Sequence, residues 1–212
     1  QSPRTLKALA LDYGTVAREV RSSLVLQASH YDAREQAFHE AVRPLRKLEP
    51  AFDVEVQEYL EAFGGNQASR FLDWCALVPN LDQLLCGLYT KGKKNSGKTL
   101  FASGVARLWS EGYSKLEDAF KQFNDTLTRN PFCFADERLP ASDTIIDDLR
   151  EFIGTKTRPL SRKFLNTAQL EGCARVYIAA NNDTLLVNAK ASVTQDDVEA
   201  LAERILYIDH GS

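Results

Sequence analysis

The chain of 212 residues contains no methionine, three histidines, four cysteines and no long hydrophobic run. Its apolar runs fall short of the roughly 20 residues that cross a membrane, and no secretory signal is visible, so we expect no membrane contact. The cysteines form no C-x-x-C pair, which argues against a structural zinc site and favours reduced, buried thiols in the cytoplasm. Because methionine is absent even from the first position, we expect an excerpt of a longer protein.

A strong net charge is missing as well. The chain carries 26 basic and 29 acidic residues, a net charge of −3, and 44% of its residues are hydrophobic. This composition is typical of one globular domain, or of one domain with a helical appendage. It excludes a strongly basic nucleic-acid binder, so any contact with a polyanion must come from a local basic patch.

The chain divides into two regions with different hydrophobic patterns. Residues 1–80 are predicted to be all-helical, because apolar residues recur at spacings of about three and four. Within them, Asp53 is expected to cap a helix that reaches Phe63 and ends at Gly64. Residues 81–212 alternate β-prone runs with helical patterns, which predicts an α/β domain with a central, mostly parallel sheet.

Residues 92–99 form the strongest motif in the chain and are called the glycine-rich loop below. Their sequence, Gly-Lys-Lys-Asn-Ser-Gly-Lys-Thr, fits G-x-x-x-x-G-K-[ST] between an apolar run and a helical pattern. Backbone N–H groups would cradle phosphates, Lys98 would reach the β- and γ-phosphate oxygens, and the Thr99 hydroxyl would hold Mg²⁺. The loop therefore predicts that the chain binds ATP with Mg²⁺. The predicted phosphate-binding residues are Gly92, Asn95, Ser96, Gly97, Lys98 and Thr99.

Polar residues follow two further predicted strands. Asp136 and Glu137 end the apolar run 132–135, where Asp136 would reach the Mg²⁺ shell and Glu137 would polarise the attacking water. Asn181 ends the β-prone run 174–180 and would contact the γ-phosphate or that water. Strand ends of a nucleotide-binding sheet share one crevice, so we expect these residues near the loop. Ordinary strand-end and turn chemistry is the alternative explanation.

A cluster of four cations interrupts an otherwise acidic chain. The cluster consists of Lys156, Arg158, Arg162 and Lys163. The alternation around Pro159 predicts a hairpin or loop that projects from the sheet. A local cluster of this kind is what a contact along a DNA backbone needs, although most charge clusters are simply solvated loops.

In their order, these segments resemble the superfamily 3 helicase domain of phage, plasmid and genomic-island primase–helicases. The similarity runs from about Glu58 onward and is carried by the basic hairpin and by residues 71–74, 92–99, 118–124, 134–137, 149–154 and 175–182. The resemblance implies a P-loop, AAA+-like ATPase core behind a helical collar, assembled as a homo-oligomer, usually a hexameric ring. It also implies that Lys98, Glu137 and Asn181 are catalytic and that Arg204 acts as an arginine finger on a neighbouring subunit.

The function implied by the resemblance is an ATP-driven DNA helicase that replicates a mobile genetic element in the cytoplasm of a bacterial or phage-infected cell. Single-stranded or forked DNA is the expected partner, and a primase half, where the parent protein has one, is absent from these residues. Three alternatives remain. They are an AAA+ helicase loader or initiator without unwinding activity, a P-loop small-molecule kinase, and a non-enzymatic helical interaction module. The Asp136–Glu137 pair argues against the kinase, and the ordered motifs argue against the module.

Overall fold

The computed structural model describes residues 19–42, 45–47, 49–139, 142, 144–163, 168–181 and 195–210. Its strands are β1 Glu19–Ser23, β2 His30–Asp32, β3 Ala37–Ala41, β4 Gly87–Lys91, β5 Ser114–Lys115, β6 Phe132–Asp136, β7 Thr157–Leu160, β8 Ala168–Glu171, β9 Arg175–Ala180 and β10 Ile205–Asp209. Its helices are α1 Val54–Gly64, α2 Ala68–Leu77, α3 Lys98–Ala106, α4 Leu116–Ala119, α5 Ile145–Gly154 and α6 Gln195–Ala202. Within these ranges, no helix has the length and apolar character that crossing a bilayer requires.

Five of the strands form a parallel sheet in the order β10-β4-β9-β6-β5. Strand β9 lies between β4 and β6, and every one of its residues is buried. Burial on both faces explains the continuous apolar sequence of residues 176–180, because helices cover both sides of a parallel sheet. The predicted α/β fold with a parallel central sheet is therefore confirmed. The carboxyl ends of β4, β9 and β6 consequently lie side by side at one edge of this sheet.

The other five strands form a mixed sheet in the order β2-β3-β1-β8-β7. The prediction that residues 1–80 are all-helical is wrong for residues 19–41, which supply three of these strands, and residues 1–18 lie outside the described residues. Strand β1 pairs in parallel with β3 and with the distant β8. Ser22 and Ser23 are buried at the centre of this pairing. Apolar spacing alone could not reveal these strands, because their partners come from far along the chain.

Helices α1 and α2, called the helical pair below, confirm the helical prediction for residues 53–78. The Asp53 carboxylate caps α1 by accepting from the N–H groups of Glu55 and Val56, at 2.9 and 3.2 Å. Gly65 follows the last residue of α1 with a φ of 55°, a conformation that favours glycine. The rings of Phe63, Phe71 and Trp74 surround Phe101 of α3 at centroid distances of 5.0, 5.1 and 6.3 Å. These aromatic contacts hold the helical pair against the α/β domain.

Strands β7 and β8 form the antiparallel hairpin that the sequence predicts, with Arg158 opposite Leu170. The hairpin does not project from the parallel sheet, because β8 pairs with β1 and thereby becomes part of the mixed sheet. Residues 164–167, between the two strands in the sequence, lie outside the described residues.

Candidate functional site

The glycine-rich loop connects β4 to α3, as the motif requires. Its turn places Asn95 and Gly97 at positive φ angles, 66° and 88°, and Gly97 lies directly before α3. A Cβ atom on Gly92 would come within 2.7 Å of the Cβ of His210, so only glycine fits there. The loop therefore presents its backbone closely around the first turn of α3, where helix N–H groups have no partner inside the helix.

Lys98 is buried beneath the loop, where its ammonium is held by oxygen atoms. The Nζ atom donates to the carbonyl oxygens of Gly92 and Lys93 at 2.7 and 2.9 Å. It also reaches Ser96 Oγ at 3.2 Å and Asn181 Oδ1 at 3.3 Å. Burial lowers the pKa of Lys98, and the carboxylates of Glu137 and Asp136 partly oppose this shift. A positive charge thus lies between the loop and the carboxyl ends of β6 and β9.

The ends of β6 and β9 bring the other predicted catalytic residues to the same place. Asp136 is the last residue of β6, and the N–H of Glu137 donates to the carbonyl of Ala179 on β9 at 2.8 Å. Glu137 has a φ of 58°, which is unusual for a residue with a side chain. Asn181 Nδ2 donates to Glu137 Oε1, while the Oδ1 atom of the same side chain accepts from Lys98. Asn181 therefore bridges a carboxylate and an ammonium.

These residues line a cleft of about 450 Å³. Its lining consists of Lys94, Asn95, Ser96, Gly97, Lys98, Thr99, Leu100, Asp136, Glu137 and Asn181. The cations and the helix-terminal N–H groups of this lining suit phosphate oxygens. Thr99 and Asp136 supply the hard oxygen ligands that Mg²⁺ prefers. The donor set therefore fits a nucleotide phosphate with a magnesium ion.

Arg204 is the one predicted catalytic residue that the structure places away from this cleft. Its carbonyl accepts from the N–H of Gly87, the first residue of β4, at 2.8 Å. The loop follows the other end of β4, so about 15 Å of strand separates Arg204 from it. The guanidinium donates to the carbonyl of Ala200 at 2.9 Å and lines a separate cleft with Asp147, Arg150 and Glu151. Arg204 cannot serve the site of its own chain.

The four cations of the basic cluster have different surroundings. Lys156 and Lys163 are exposed, and Arg162 donates to Ser22 Oγ at 2.9 Å and lies 3.4 Å from a Glu40 carboxylate oxygen. Arg158 is only 7% exposed, with its guanidinium 4.2 Å from the centre of the Phe152 ring. The expectation that Arg158 contacts DNA is therefore corrected, because burial and stacking hide its charge from a backbone phosphate.

Two residues near the loop were missed by sequence reasoning. The Tyr59 hydroxyl, on α1, donates to the carbonyl of Gly97 at 3.1 Å. His210 follows β10, and its N–H donates to the carbonyl of Lys91 at 2.7 Å. Its ring lies 4.2 Å from that of Phe63, centre to centre. Neither residue belongs to a recognisable motif, since each reaches the loop only through tertiary packing.

The protonation of His210 gives a testable pH dependence. Burial lowers the pKa of His210, the Lys98 ammonium lowers it further, and only Asp209 opposes the shift. The unfolded state, with a histidine pKa of about 6.5, therefore binds the proton more readily than the folded state. The contribution of this residue to stability is present above pH ~6.5 and is lost as the pH falls through the lowered folded-state pKa. We expect the melting temperature to fall less between pH 7.5 and 5.5 in His210→Gln than in the wild type, and equal falls would contradict the assignment.

The fold and this site define a mixed α/β protein with a cleft suited to phosphate at the carboxyl edge of its parallel sheet. The chain belongs to a family of unknown function, DUF5906, whose family model matches residues 90–197. The matched residues include the whole lining of this cleft, with Lys98, Asp136, Glu137 and Asn181 among them. A search of curated proteins finds no significant match.

Solved structures of similar fold exist. Two apo structures of the NrS-1 C-terminal region match with TM-scores of 0.63 and 0.64 at 14% identity. Each match covers 96% of this chain and 52% of the NrS-1 chain, so this chain spans about half the length of those structures. At this identity the likeness is evidence for the fold alone. A JCV helicase structure matches with a TM-score of 0.45 at 16% identity, which is too low to support an inference.

Proposed function

We propose that this chain is an ATPase that works as a DNA-unwinding motor. The observation that carries the ATPase proposal is the convergence of Lys98, Glu137 and Asn181 at one cleft beside the glycine-rich loop. A sequence motif for phosphate binding can occur by chance. Here, however, direct hydrogen bonds join Lys98 of the motif to Asn181, and Asn181 to Glu137, at two separate strand ends. An ordinary surface turn does not explain this arrangement.

Each residue has a role in the proposed hydrolysis. The loop amides and Lys98 bind the phosphates, and Thr99 with Asp136 would hold Mg²⁺, which offsets phosphate charge when bound. Glu137 takes the proton of the attacking water, and Asn181 orients Glu137 and contacts the γ-phosphate. Nucleotide binding requires Lys98 to exchange its present carbonyl partners for phosphate oxygens.

The motor part of the proposal rests on the order of motifs that resembles superfamily 3 helicases, and the NrS-1-like fold is consistent with it. We propose a ring of identical subunits in which Arg204 reaches the nucleotide of the neighbouring subunit. This role suits its position at the opposite edge of the sheet from its own loop. Lys156 and Lys163 remain the exposed cations of the hairpin for contact with single-stranded DNA.

An AAA+ helicase loader is the second candidate, and the hairpin favours it in one respect. Arg158 is buried and Arg162 is paired with Glu40, so fewer cations are available to track a DNA strand than the sequence suggests. A loader uses the same ATPase site to remodel a partner and does not separate strands. Strand separation by the purified protein distinguishes the two.

The test is steady-state ATP hydrolysis at increasing protein concentration, with and without single-stranded DNA. We expect turnover per subunit to rise with concentration, because a residue of one subunit completes the site of the next, and to rise again with DNA. Glu137→Gln should retain nucleotide binding and lose at least about 100-fold in turnover, the usual contribution of a general base. Turnover that does not change with protein concentration or with DNA would contradict the proposed ring motor. Full activity of Glu137→Gln would contradict the proposed catalytic role of the cleft.

A further inference from the structure

Tyr59 connects the helical pair to the glycine-rich loop through one hydrogen bond and one ring contact. Its hydroxyl donates to the carbonyl of Gly97 at 3.1 Å. A Cβ atom placed on Gly97 would lie 3.2 Å from the Tyr59 hydroxyl and 3.3 Å from its ring. The residue is half-buried and lies 38 positions before the glycine, outside the residues that the family model matches.

The geometry of the Gly97–Lys98 peptide gives this contact a consequence for binding. The Gly97 carbonyl accepts from Tyr59 and also from the N–H of Phe101 in α3, at 2.9 Å. In a planar trans peptide the carbonyl and the following N–H point in opposite directions. Tyr59, on the helical pair, binds the Gly97 carbonyl. The N–H of Lys98 therefore points the opposite way, out of the N-terminus of α3 and toward the cleft.

Gly97 also needs support because its backbone is in the left-handed region, with a φ of 88°. Glycine has the widest conformational freedom of all residues, so an unsupported Gly97 samples other backbone angles. The Tyr59 ring occupies the side of Gly97 where a side chain would otherwise stand, and it rests against Phe63 at a centroid distance of 5.8 Å. Tyr59 is thereby fixed by its own helix.

We propose that Tyr59 is a positioning residue for the phosphate-binding loop, through which docking of the helical pair sets the affinity for a nucleoside triphosphate. The inference rests on the proposed function and adds a residue, and a regulatory connection, to the same site. The coupling is reciprocal, so bound nucleotide also holds the helical pair more firmly on the loop.

Tyr59→Phe tests the proposal, because it removes the hydroxyl and keeps the ring. We expect the dissociation constants of Mg-ATP and Mg-ADP to rise about 3- to 10-fold, the effect of one net hydrogen bond. Turnover at saturating ATP should change less than about 2-fold, since Glu137 and Asn181 are untouched. Tyr31→Phe makes the same chemical change in the mixed sheet and should leave all constants unchanged.

Two further readouts separate positioning from simple stabilisation. The melting temperature without nucleotide should fall by only a few degrees in Tyr59→Phe, the effect of one lost hydrogen bond, and the increase caused by Mg-ADP should be smaller than in the wild type. Hydrogen exchange of the α1 amides should slow when Mg-ADP binds to the wild type, and slow less in the variant. A loss of stability without nucleotide, combined with an unchanged nucleotide-induced increase, would overturn the positioning role.

The binding measurements test the role of Tyr59 and the proposed ATPase function separately. If the wild type binds Mg-ATP and Tyr59→Phe binds it equally well, the positioning role is wrong and the ATPase proposal stands. If the wild type binds neither Mg-ATP nor Mg-ADP, both are wrong.

Discussion

Replacing Lys98 with alanine should abolish ATP hydrolysis and weaken Mg-ATP binding about 10- to 150-fold. A charged hydrogen bond contributes roughly 1.5–3 kcal/mol, and about 1.4 kcal/mol corresponds to a factor of ten in affinity. Turnover at saturating ATP should fall by a further factor of about 100 or more, because in the proposed mechanism Lys98 stabilises charge that develops on the phosphate during transfer.

The folded state should survive this change. The Lys98 side chain contacts the loop carbonyls of Gly92 and Lys93 and the side chain of Asn181. These three partners lie outside the strands and helices, so losing the contacts leaves the secondary structure intact. We expect near-native circular dichroism and a cooperative melting transition. Lys115→Ala, which removes the same charge from an exposed position on β5, is the matched control and should retain full binding and turnover.

Isothermal titration with Mg-ADP and a phosphate-release assay measure the two effects separately. Unchanged turnover together with unchanged Mg-ADP binding in folded Lys98→Ala would exclude the glycine-rich loop as the catalytic site. Weak binding with normal turnover at saturation would show that Lys98 contributes to affinity alone.

The largest effect on stability is expected at Arg175, the first residue of β9. Its side chain is 2% exposed and donates to four carbonyl groups in the segment that ends α2 and leads to β4, those of Leu77, Val78, Asn80 and Gln83. Burial lowers the pKa of Arg175 to about 10, so the guanidinium remains charged at neutral pH. One planar group with five N–H donors thus ties the helical pair to the parallel sheet.

Arg175→Met should reduce the free energy of unfolding by about 3–5 kcal/mol, because several buried carbonyls lose their partner together. For a domain of this size the melting temperature should fall by roughly 6–20 °C. Arg175→Lys should lose less, since one ammonium can satisfy some of the carbonyls but not all of them. Chemical denaturation monitored by tryptophan fluorescence reports the loss, because Trp74 lies on α2.

Arg129→Ala is the surface control for this prediction. Its side chain is 71% exposed and lies 3.5 Å from Asp125, so its removal should change stability by less than about 0.5 kcal/mol. A loss of similar size in Arg129→Ala and Arg175→Met would mean that the carbonyl contacts of Arg175 contribute little.

The strands and the helix around the glycine-rich loop were predicted better than the first part of the chain, where three strands replace the expected helices. Glycine and lysine spacing in residues 92–99 specifies a local turn, and polar residues that end apolar runs mark strand ends, so both signals are short-range. The predictions were wrong where contacts with residues distant in the chain determine the structure. Strand β1 depends on β8, and Arg158 is buried because α5 supplies the Phe152 ring against which it stacks.

By itself, the sequence determined the glycine-rich loop, the caps of α1 and the apolar strands of the parallel sheet, because each follows from neighbouring residues and backbone preference. Only the tertiary structure decided the mixed sheet, the burial of Arg158, the position of Arg204 at the opposite edge from the loop, and the contacts of Tyr59 and His210 with Gly97 and Gly92. These features join residues that are distant in the chain. They depend on which strands pair and which helices pack together, and the local pattern of residues does not specify these partners.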